Sequence, residues 1–278
     1  MNKLFKMAGV MGWPVAHSRS PAIHNHWIAQ HHLLGAYGLF AVQPCELEAA
    51  IRGLKALGLA GCNITIPHKV EAMNYVDWVD PLARRIGAIN TIVVQDNGEL
   101  HGFNNDGFGF IESLREGMPS WRADTGPSVV LGAGGASRAI VVSLLDSGAK
   151  EIRLLNRTYS KAQEIAQEFA PFVRAYDWHE RHEVISDCAL LVNTTSLGMH
   201  GQATLEIDLT SLPLSALVCD AIYIPLETPL LAAARQRGNI TVNGLGMLLH
   251  QARPAFKAWF GVMPEVTEDL RQTIVSTL

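Results

Sequence analysis

The sequence predicts an α/β protein of two domains, the second of them built on a parallel sheet. The chain has 278 residues, more than a single hydrophobic core usually serves. Short apolar runs alternate with helical patterns in the first third, and a different unit of strand, glycine-rich turn and helix begins after Pro127. We therefore expect one domain over 1–105 and a second over 106–246. The tail 247–278 is helical in pattern, and packing back on the first domain is one arrangement open to it.

Two strand–helix units, a third strand followed by a short helix, and a hairpin are predicted in the first domain. Ser20 followed by Pro21 is typical of the cap and first turn of a helix. Asn97-Gly98 is typical of a two-residue hairpin turn. The strands are expected at 7–11, 37–42, 61–66, 91–94 and 99–102. The helices are expected from Ser20 to about residue 34 and over 47–57, with a short helix after Pro67.

The order of strands and helices in the second domain predicts the parallel sheet. Strands are expected at 128–131, 151–155, 190–193 and 217–221. One helix follows the glycine-rich turn and reaches about residue 147, and another is expected over 228–237. A strand, a helix and a second strand in that order form a βαβ unit, whose two strands run parallel.

Composition and charge argue against several classes of partner. The formal net charge of −4 offers no basic field for a nucleic acid. The four cysteines show no C-x-x-C spacing, so neither a zinc knuckle nor a redox dithiol is indicated. The N-terminal residues lack the apolar stretch of a signal peptide, and the most apolar later segment, 129–145, contains an arginine and several glycines. We expect a cytoplasmic protein with a small-molecule partner, without metal or membrane, as a monomer or a homodimer.

A glycine-rich segment marks the candidate nucleotide site. Residues 132–138, G-A-G-G-A-S-R, follow a buried strand and open a helix. Glycines in such a turn let a pyrophosphate approach the helix N-terminus, where backbone N–H groups favour an anion. In this context the segment predicts a dinucleotide site, and the alternative is a purely structural glycine turn.

The end of the next strand indicates which dinucleotide is bound. An NAD-binding protein places an acidic side chain there for the ribose hydroxyls. This chain has Asn156-Arg157-Thr158 instead. The arginine fork suits a 2′-phosphate in geometry and charge, and Lys161 in the following helix adds a second cation. The cofactor is therefore expected to be NADP, unless Arg157 is merely a solvated residue after the strand.

A series of segments resembles the shikimate dehydrogenase family in order and spacing. The first four are G-W-P-V-A-H-S-R-S-P-A-I-H-N at 12–25, N-I-T-I-P-H-K at 63–69, G-A-I-N-T at 87–91 and G-F-N-N-D-G at 102–107. After the glycine-rich and N-R-T segments come N-T-T-S-L-G-M at 193–199, D-A-I-Y at 220–223 and G-L-G-M-L-L-H-Q-A at 244–252. The resemblance implies an N-terminal substrate-binding domain, a C-terminal Rossmann-type NADP domain and an active site in the cleft between them.

The resemblance also implies an activity and the residues that serve it. The activity is the reversible reduction of 3-dehydroshikimate to shikimate with NADPH, in the biosynthesis of aromatic amino acids. The residues implied to bind the substrate are Ser18, Ser20, Thr65, Asn90, Asp106, Tyr223 and Gln251. Those implied to bind the cofactor are Gly132, Ala133, Gly134, Gly135, Ala136, Asn156, Arg157, Thr158, Lys161, Ala221 and Gly244. The two serines are implied to meet the substrate carboxylate, although a helix cap is the ordinary role for Ser20.

Lys69 and Asp106 match the family's catalytic lysine and aspartate. Oxidising a secondary alcohol removes a hydride from carbon and a proton from oxygen, so an acid/base group beside that oxygen lowers the barrier. The resemblance implies that Lys69 exchanges this proton and that Asp106 orients the lysine and the hydroxyl. Taken alone, Lys69 fits a surface residue that opens a short helix, and Asp106 fits the cap of a helix to about residue 116.

The histidines of the first domain are interpreted without catalysis or metal binding. His68 adjoins Lys69 and is expected to be a surface or packing residue. The histidines of the first predicted helix lack the paired spacing with a carboxylate that a zinc site shows, so they are expected to form a solvated face. They are His24, His26, His31 and His32.

Three functions remain open on this sequence. The first is an NADP-dependent shikimate dehydrogenase, and the second is a paralogue that prefers quinate or an aminated shikimate analogue. The third is a non-catalytic NADP sensor that kept the fold, against which the intact Lys69 and Asp106 argue. Asn105 stands where many relatives have threonine and Asn243 where many have aspartate, and neither departure removes a catalytic group.

Overall fold

Residues 5–278 are described by a computed structural model, which contains two sheets of six strands each. The first four residues of the predicted first domain lie outside the described range. The fold divides into two compact units. One comprises the described residues up to Asn105 together with Gln251–Leu278, and the other is Asp106–His250.

The first unit has a mixed sheet. Its strands are β1 (Lys6–Gly12), β2 (Gly35–Ala41), β3 (Gly61–Ile64), β4 (Trp78–Val79), β5 (Thr91–Val94) and β6 (Leu100–Phe103). Its first helices are α1 (Ser20–Gln30), α2 (Leu47–Ala56) and α3 (Pro81–Ile86). The strand order is β2-β1-β3-β5-β6-β4, with β1 parallel to β2 and β3, and β5 antiparallel to β3 and β6. The start of β5 therefore lies beside the C-terminal end of β3.

The second unit has a sheet in which every pair of neighbouring strands is parallel, as predicted. Its strands are β7 (Ser128–Leu131), β8 (Ile152–Leu155), β9 (Val173–Tyr176), β10 (Leu190–Asn193), β11 (Leu217–Asp220) and β12 (Thr241–Val242). Its helices are α4 (Asp106–Gly117), α5 (Gly135–Asp146), α6 (Tyr159–Glu168) and α7 (Pro229–Arg237). Helix α8 (Gly244–Phe260) begins in this unit, and α9 (Glu268–Val275) follows it in the first.

The strand order of the second sheet locates its binding crevice. The order is β12-β11-β10-β7-β8-β9, so the chain moves outward in opposite directions on the two sides of β7. Open parallel sheets bind ligands at the carboxyl ends of the strands where this reversal occurs. Val130 packs in the hydrophobic cluster on one side of the sheet and Val129 in the cluster on the other. Burial on both faces explains the apolar run at 129–131 in β7.

Helix α1 differs from its prediction at both ends. Ser20 is its first helical residue, the cap position is Arg19, and no side chain caps the helix. The expected capping role of Ser20 is therefore wrong. The helix ends at Gln30 rather than near residue 34, because His32 takes a left-handed φ of +49° and redirects the chain toward β2.

The four histidines predicted for the first helix do not form a solvated face, and that expectation is also wrong. His24 is fully buried and stacks on Tyr37, with ring centroids 4.1 Å apart and planes at 4°. His26 and His31 are half-buried, and only His32 of the four is exposed. Burial lowers the pKa of His24 from 6.5 to about 3, because the imidazolium would lose its hydration among aromatic rings.

We predict that His24 makes the stability of the fold fall below neutral pH. Below pH 6.5 the unfolded chain binds a proton at His24, whereas the folded chain does not until about pH 3. The unfolding free energy then drops by about 1.4 kcal/mol per pH unit from this group. Between pH 7.5 and pH 5, urea unfolding should show the parent losing about 2 kcal/mol more than His24→Phe. His17→Gln, which changes an exposed histidine, should behave as the parent does, and equal losses in parent and His24→Phe would contradict the prediction.

The described residues form neither a membrane-spanning helix nor a metal-binding cluster. None of the helices within 5–278 has the length and apolar character needed to cross a bilayer. Within the same range, no three or more His, Cys, Asp or Glu side chains are grouped so as to hold a metal ion. The four cysteines are free, Cys45 exposed and the other three buried.

Candidate functional site

The glycine-rich turn after β7 forms a cradle at the N-terminus of α5. Gly132 has a φ of +111°, and a Cβ on it would lie 2.4 Å from Thr194 Oγ1, so the position requires glycine. Ser137 closes the turn by donating to the Gly132 carbonyl oxygen at 2.5 Å. A Cβ on Gly134 or Gly135 would meet nothing within 4 Å. The first N–H groups of α5 thus border an open space, which suits a pyrophosphate.

A cavity of about 190 Å³ lies at this cradle. Its lining comes from the residues that follow β7, β8 and β10, together with one aromatic side chain. These residues are Gly132, Ala133, Gly134, Asn156, Arg157, Trp178, Thr194, Thr195 and Ser196. The cavity occupies the crevice expected from the strand order, and it brings the predicted glycines and the predicted arginine together.

The predicted cofactor residues after β8 differ in their surroundings. Arg157 is exposed and lines the cavity. Asn156 Nδ2 donates to the Thr158 carbonyl oxygen at 2.9 Å, which keeps this short segment turned on itself. Lys161 is exposed on α6 and is not among the lining residues. Arg138, from the glycine-rich segment, instead pairs with Glu168 at 2.8 Å.

Ala221 and Gly244 are brought into contact at the end of β11. A Cβ on Gly244 would lie 2.1 Å from the Ala221 carbonyl oxygen, so this position also requires glycine. The Gly244 N–H donates to Ile222 O at 2.9 Å, and the Ala221 N–H donates to Asn193 O at 2.9 Å. Tyr223 follows in the same loop and is half-buried.

A buried carboxylate to which the sequence analysis assigned no role, Asp220, organises this part of the unit. Asp220 is fully buried and accepts hydrogen bonds from Asn193 Nδ2 at 3.1 Å and from Thr228 Oγ1 at 2.7 Å. Burial raises its pKa, and its hydrogen bonds partly oppose that shift. Asn193 Oδ1 in turn accepts from Thr195 Oγ1 at 2.7 Å. Asp220 and Asn193 thus hold the segment that lines the cavity after β10.

The two serines predicted to bind the substrate carboxylate lie between β1 and the first turn of α1. The Ser18 N–H donates to Val15 O at 2.9 Å, which makes a tight turn. The Ser20 N–H donates to Ser18 Oγ at 3.3 Å. The two serines are therefore adjacent, Ser18 half-buried and Ser20 buried.

Like the two serines after β1, the predicted substrate residues around β3 and β5 lie at the C-terminal ends of β1 and β3. Thr65 and Lys69 follow β3, and Asn90 precedes β5, which runs antiparallel to β3. The Ile89 N–H donates to the Lys69 carbonyl oxygen at 2.9 Å, which places the lysine backbone beside the residue preceding Asn90. Asn90 Nδ2 donates to Gln251 Oε1 at 3.4 Å.

His68, the neighbour of Lys69, is a packing residue, and that prediction is confirmed. It is buried, and its Nε2 lies 2.8 Å from the Val42 carbonyl oxygen. Lys69 itself is half-buried. Asp106 is the first residue of α4, is 6% exposed and belongs to the second unit.

Sequence reasoning missed several residues at these sites. Trp178 lines the cavity, and nothing in the sequence around it indicates this. Residues 194–196 belong to a segment that resembles the family, and their polar, hydroxyl-rich character after a buried strand was the available signal. Asn63 and Thr91 are buried polar residues within such segments as well.

Successive parts of the chain, and the chain as a whole, are similar to known shikimate dehydrogenases. Residues 10–92 match the family described as shikimate dehydrogenase substrate binding domain, 122–200 the shikimate / quinate 5-dehydrogenase family, and 244–274 the shikimate 5′-dehydrogenase C-terminal domain. A shikimate dehydrogenase (NADP(+)) of Paramagnetospirillum magneticum is 53% identical, covering 98% of both chains.

Solved structures resemble the whole chain too. One is the shikimate 5-dehydrogenase of Thermus thermophilus in complex with NADP(H) and shikimate, 34% identical, with a TM-score of 0.88 over 98% of this chain and 100% of that one. Another is the quinate dehydrogenase of Corynebacterium glutamicum in complex with NAD, 29% identical, with a TM-score of 0.91 over 98% of this chain and 100% of that one.

Proposed function

The chain belongs to the shikimate dehydrogenase family, and from that premise we propose that it interconverts 3-dehydroshikimate and shikimate with NADP. It is an oxidoreductase that acts on a secondary alcohol. The observation that supports this activity best is the 53% identity, over 98% of the chain, to a relative that carries the name of this NADP-dependent enzyme. In a biosynthetic setting the reaction serves the formation of aromatic amino acids.

The second unit is the NADP domain in this proposal. Gly132 and the open positions Gly134 and Gly135 fit a pyrophosphate, since no Cβ fills the space beside the N-terminus of α5. Arg157 lines the same cavity and suits the 2′-phosphate. NADPH, when bound, supplies the hydride. Lys161 adds positive charge on α6 outside the cavity lining, and Ala221 with Gly244 provides close backbone contact for the nicotinamide end.

The first unit is the substrate-binding domain in this proposal, with Asp106 and Tyr223 contributed by the second unit. Ser18 and Ser20 donate hydroxyl hydrogen bonds to the substrate carboxylate. Thr65, Asn90 and Gln251 hold the hydroxyl groups and the carboxylate side of the ring. This is supported by the position of Thr65 and Asn90 at the C-terminal end of β3 and by the hydrogen bond from Asn90 to Gln251. The stretch Gln251–Leu278 belongs with this domain.

Lys69 and Asp106 carry the proton chemistry. During reduction Lys69 donates a proton to the carbonyl oxygen, and during oxidation it accepts the proton of the hydroxyl. Asp106 accepts hydrogen bonds that orient the lysine and the hydroxyl group. This division of roles rests on the family resemblance of the two residues and on their being partly or wholly buried.

A cytoplasmic location is part of the proposal, because four free cysteines suit a reducing compartment. We expect the chain to work there as a monomer or a homodimer. Gel filtration combined with light scattering distinguishes the two.

The experiment that tests the function is a steady-state comparison of shikimate and quinate, each with NADP and with NAD. We expect kcat/KM for shikimate with NADP to exceed each of the other three combinations at least about tenfold. A higher value for quinate would identify the paralogue, to which the likeness to the quinate dehydrogenase of C. glutamicum gives some support. Binding of NADP without turnover of either alcohol would identify the sensor.

A further inference from the structure

The predicted substrate residue Asn90 belongs to a network of hydrogen-bonded polar side chains in the first unit. The network consists of Tyr37, Asn63, Asn90, Thr91 and Asn105. The first four are at most 5% exposed. Because a buried donor or acceptor without a partner is costly, the direction of each hydrogen bond can be assigned by counting donors and acceptors.

The orientation of the Asn63 amide follows from a backbone carbonyl group. One of its terminal atoms lies 3.0 Å from the Asn90 carbonyl oxygen, which can only accept, so this atom is Nδ2. Its Oδ1 therefore faces Tyr37, whose hydroxyl donates at 2.6 Å. Nδ2 also donates to Thr91 Oγ1 at 3.1 Å. Asn63 thus fills one of the two acceptor positions of the threonine hydroxyl.

The orientation of the Asn90 amide follows from a backbone N–H group. The Asn105 N–H lies 3.0 Å from one terminal atom of Asn90, and because this N–H can only donate, that atom is Oδ1. Thr91 Oγ1 lies 2.9 Å from the same oxygen. Because Asn90 Oδ1 can only accept, the single proton of the Thr91 hydroxyl goes to it, and the Asn105 side-chain atom 3.0 Å from Thr91 Oγ1 must then be the donor Nδ2.

Resting on the proposed function, we infer that Thr91 is a positioning residue that makes Asn90 a hydrogen-bond donor toward the substrate. Its hydroxyl and the Asn105 N–H occupy Asn90 Oδ1, which directs Nδ2 to the side of Gln251, the other predicted substrate amide. A donor suits a hydroxyl oxygen and a keto oxygen alike, because both accept. Asn90 Nδ2 can therefore donate to an oxygen of shikimate and of 3-dehydroshikimate. It disfavours an analogue that has an ammonium group in place of this oxygen, because an ammonium group can only donate.

The test is a double-mutant cycle between Thr91→Val and Asn90→Ala, read as KM for shikimate. Valine keeps the shape of threonine and removes the hydroxyl. We expect Thr91→Val to raise KM about tenfold in the parent and less than about twofold in the Asn90→Ala background. KM for NADP should stay at the parent value in every variant, and Thr91→Ser, which restores the hydroxyl, should recover most of the loss.

A second variant tests the donor assignment independently of how Thr91→Val folds. Asn90→Asp keeps the inward-facing acceptor but presents an oxygen in place of Nδ2. We expect its KM for shikimate to exceed that of Asn90→Ala. A KM for Asn90→Asp at or below the parent value would overturn the donor assignment.

The outcomes of the cycle separate the two proposals. A parent that turns over shikimate, together with equal effects of Thr91→Val in both backgrounds, would overturn the positioning role and leave the proposed function intact. A parent inactive with shikimate would overturn the proposed function and this inference with it.

Discussion

A Lys69→Ala variant is expected to lose about 10²- to 10⁴-fold in turnover of shikimate while its NADP affinity stays close to that of the parent. The lysine is proposed to exchange the proton of the reacting oxygen, and alanine has no group that can do so. The hydride is exchanged with NADP or NADPH, for which Gly132 and Arg157 of the second unit are the proposed binding residues, so the cofactor site should be untouched. The loss should therefore appear in kcat, measured with shikimate and NADP in one direction and with 3-dehydroshikimate and NADPH in the other, and not in the dissociation constant of NADP from equilibrium titration.

Lys257→Ala is the matched control for this variant. Lys257 is an exposed lysine of α8 and has no proposed role, so the change removes the same side chain from the same unit. We expect its kcat to equal that of the parent. If Lys69→Ala kept its turnover within about threefold of this control, the role of Lys69 as the proton-exchanging group would be untenable.

The parallel sheet of the second unit could be predicted because the apolar residues of its central strands indicate that these strands are buried. β7 and β10 are buried at every position, and each contains three consecutive apolar residues, at 129–131 and 190–192. β12 has two residues, too few to show a period, and β9 lies at the sheet edge with only Val173 buried. These strands were not predicted because they exist through their pairing with a neighbour.

The misjudged histidines show where local patterns stop being informative. A histidine within a polar-looking helix gives no local sign of burial. His24 is buried because residues from the far end of the chain pack on α1: Phe256 lies 5.9 Å from its ring, and Glu265 O accepts from Trp27 Nε1 at 3.0 Å. Contacts separated by more than 230 residues cannot be read from the periodicity of one helix.

Those features of the candidate sites that depend on the type of residue at a position could be predicted from the sequence. Gly132 is required by its positive φ, and a glycine between a buried strand and a helix indicates a phosphate-binding turn from the sequence alone. The direction in which Asn90 presents its amide is a different matter. It depends on hydrogen bonds from Thr91 and from Asn105, 15 residues further along the chain, and these form only once the strands have paired.

Arg157→Ala is expected to weaken NADP about 10- to 100-fold and to change NAD less than about threefold. A charge-assisted hydrogen bond to a phosphate contributes about 1.5–3 kcal/mol, and only NADP carries the 2′-phosphate. Arg157 is exposed beside a cavity that also contains the glycine cradle, so its guanidinium can reach a ligand without disturbing the core. The measurement is the dissociation constant of each cofactor in low and in moderate salt, where screening should reduce the NADP effect.

Arg174→Ala supplies the comparison that separates a specific phosphate contact from a general change in surface charge. Arg174 is exposed on β9 of the same sheet and lies outside the cavity lining. Its removal lowers the net charge by the same amount and should change both cofactors equally and slightly. Equal losses of NADP and NAD affinity in Arg157→Ala would contradict the assignment, because they would mean that the arginine holds a part common to both cofactors. A selective loss of NADP would instead place the choice between the two cofactors on this one side chain.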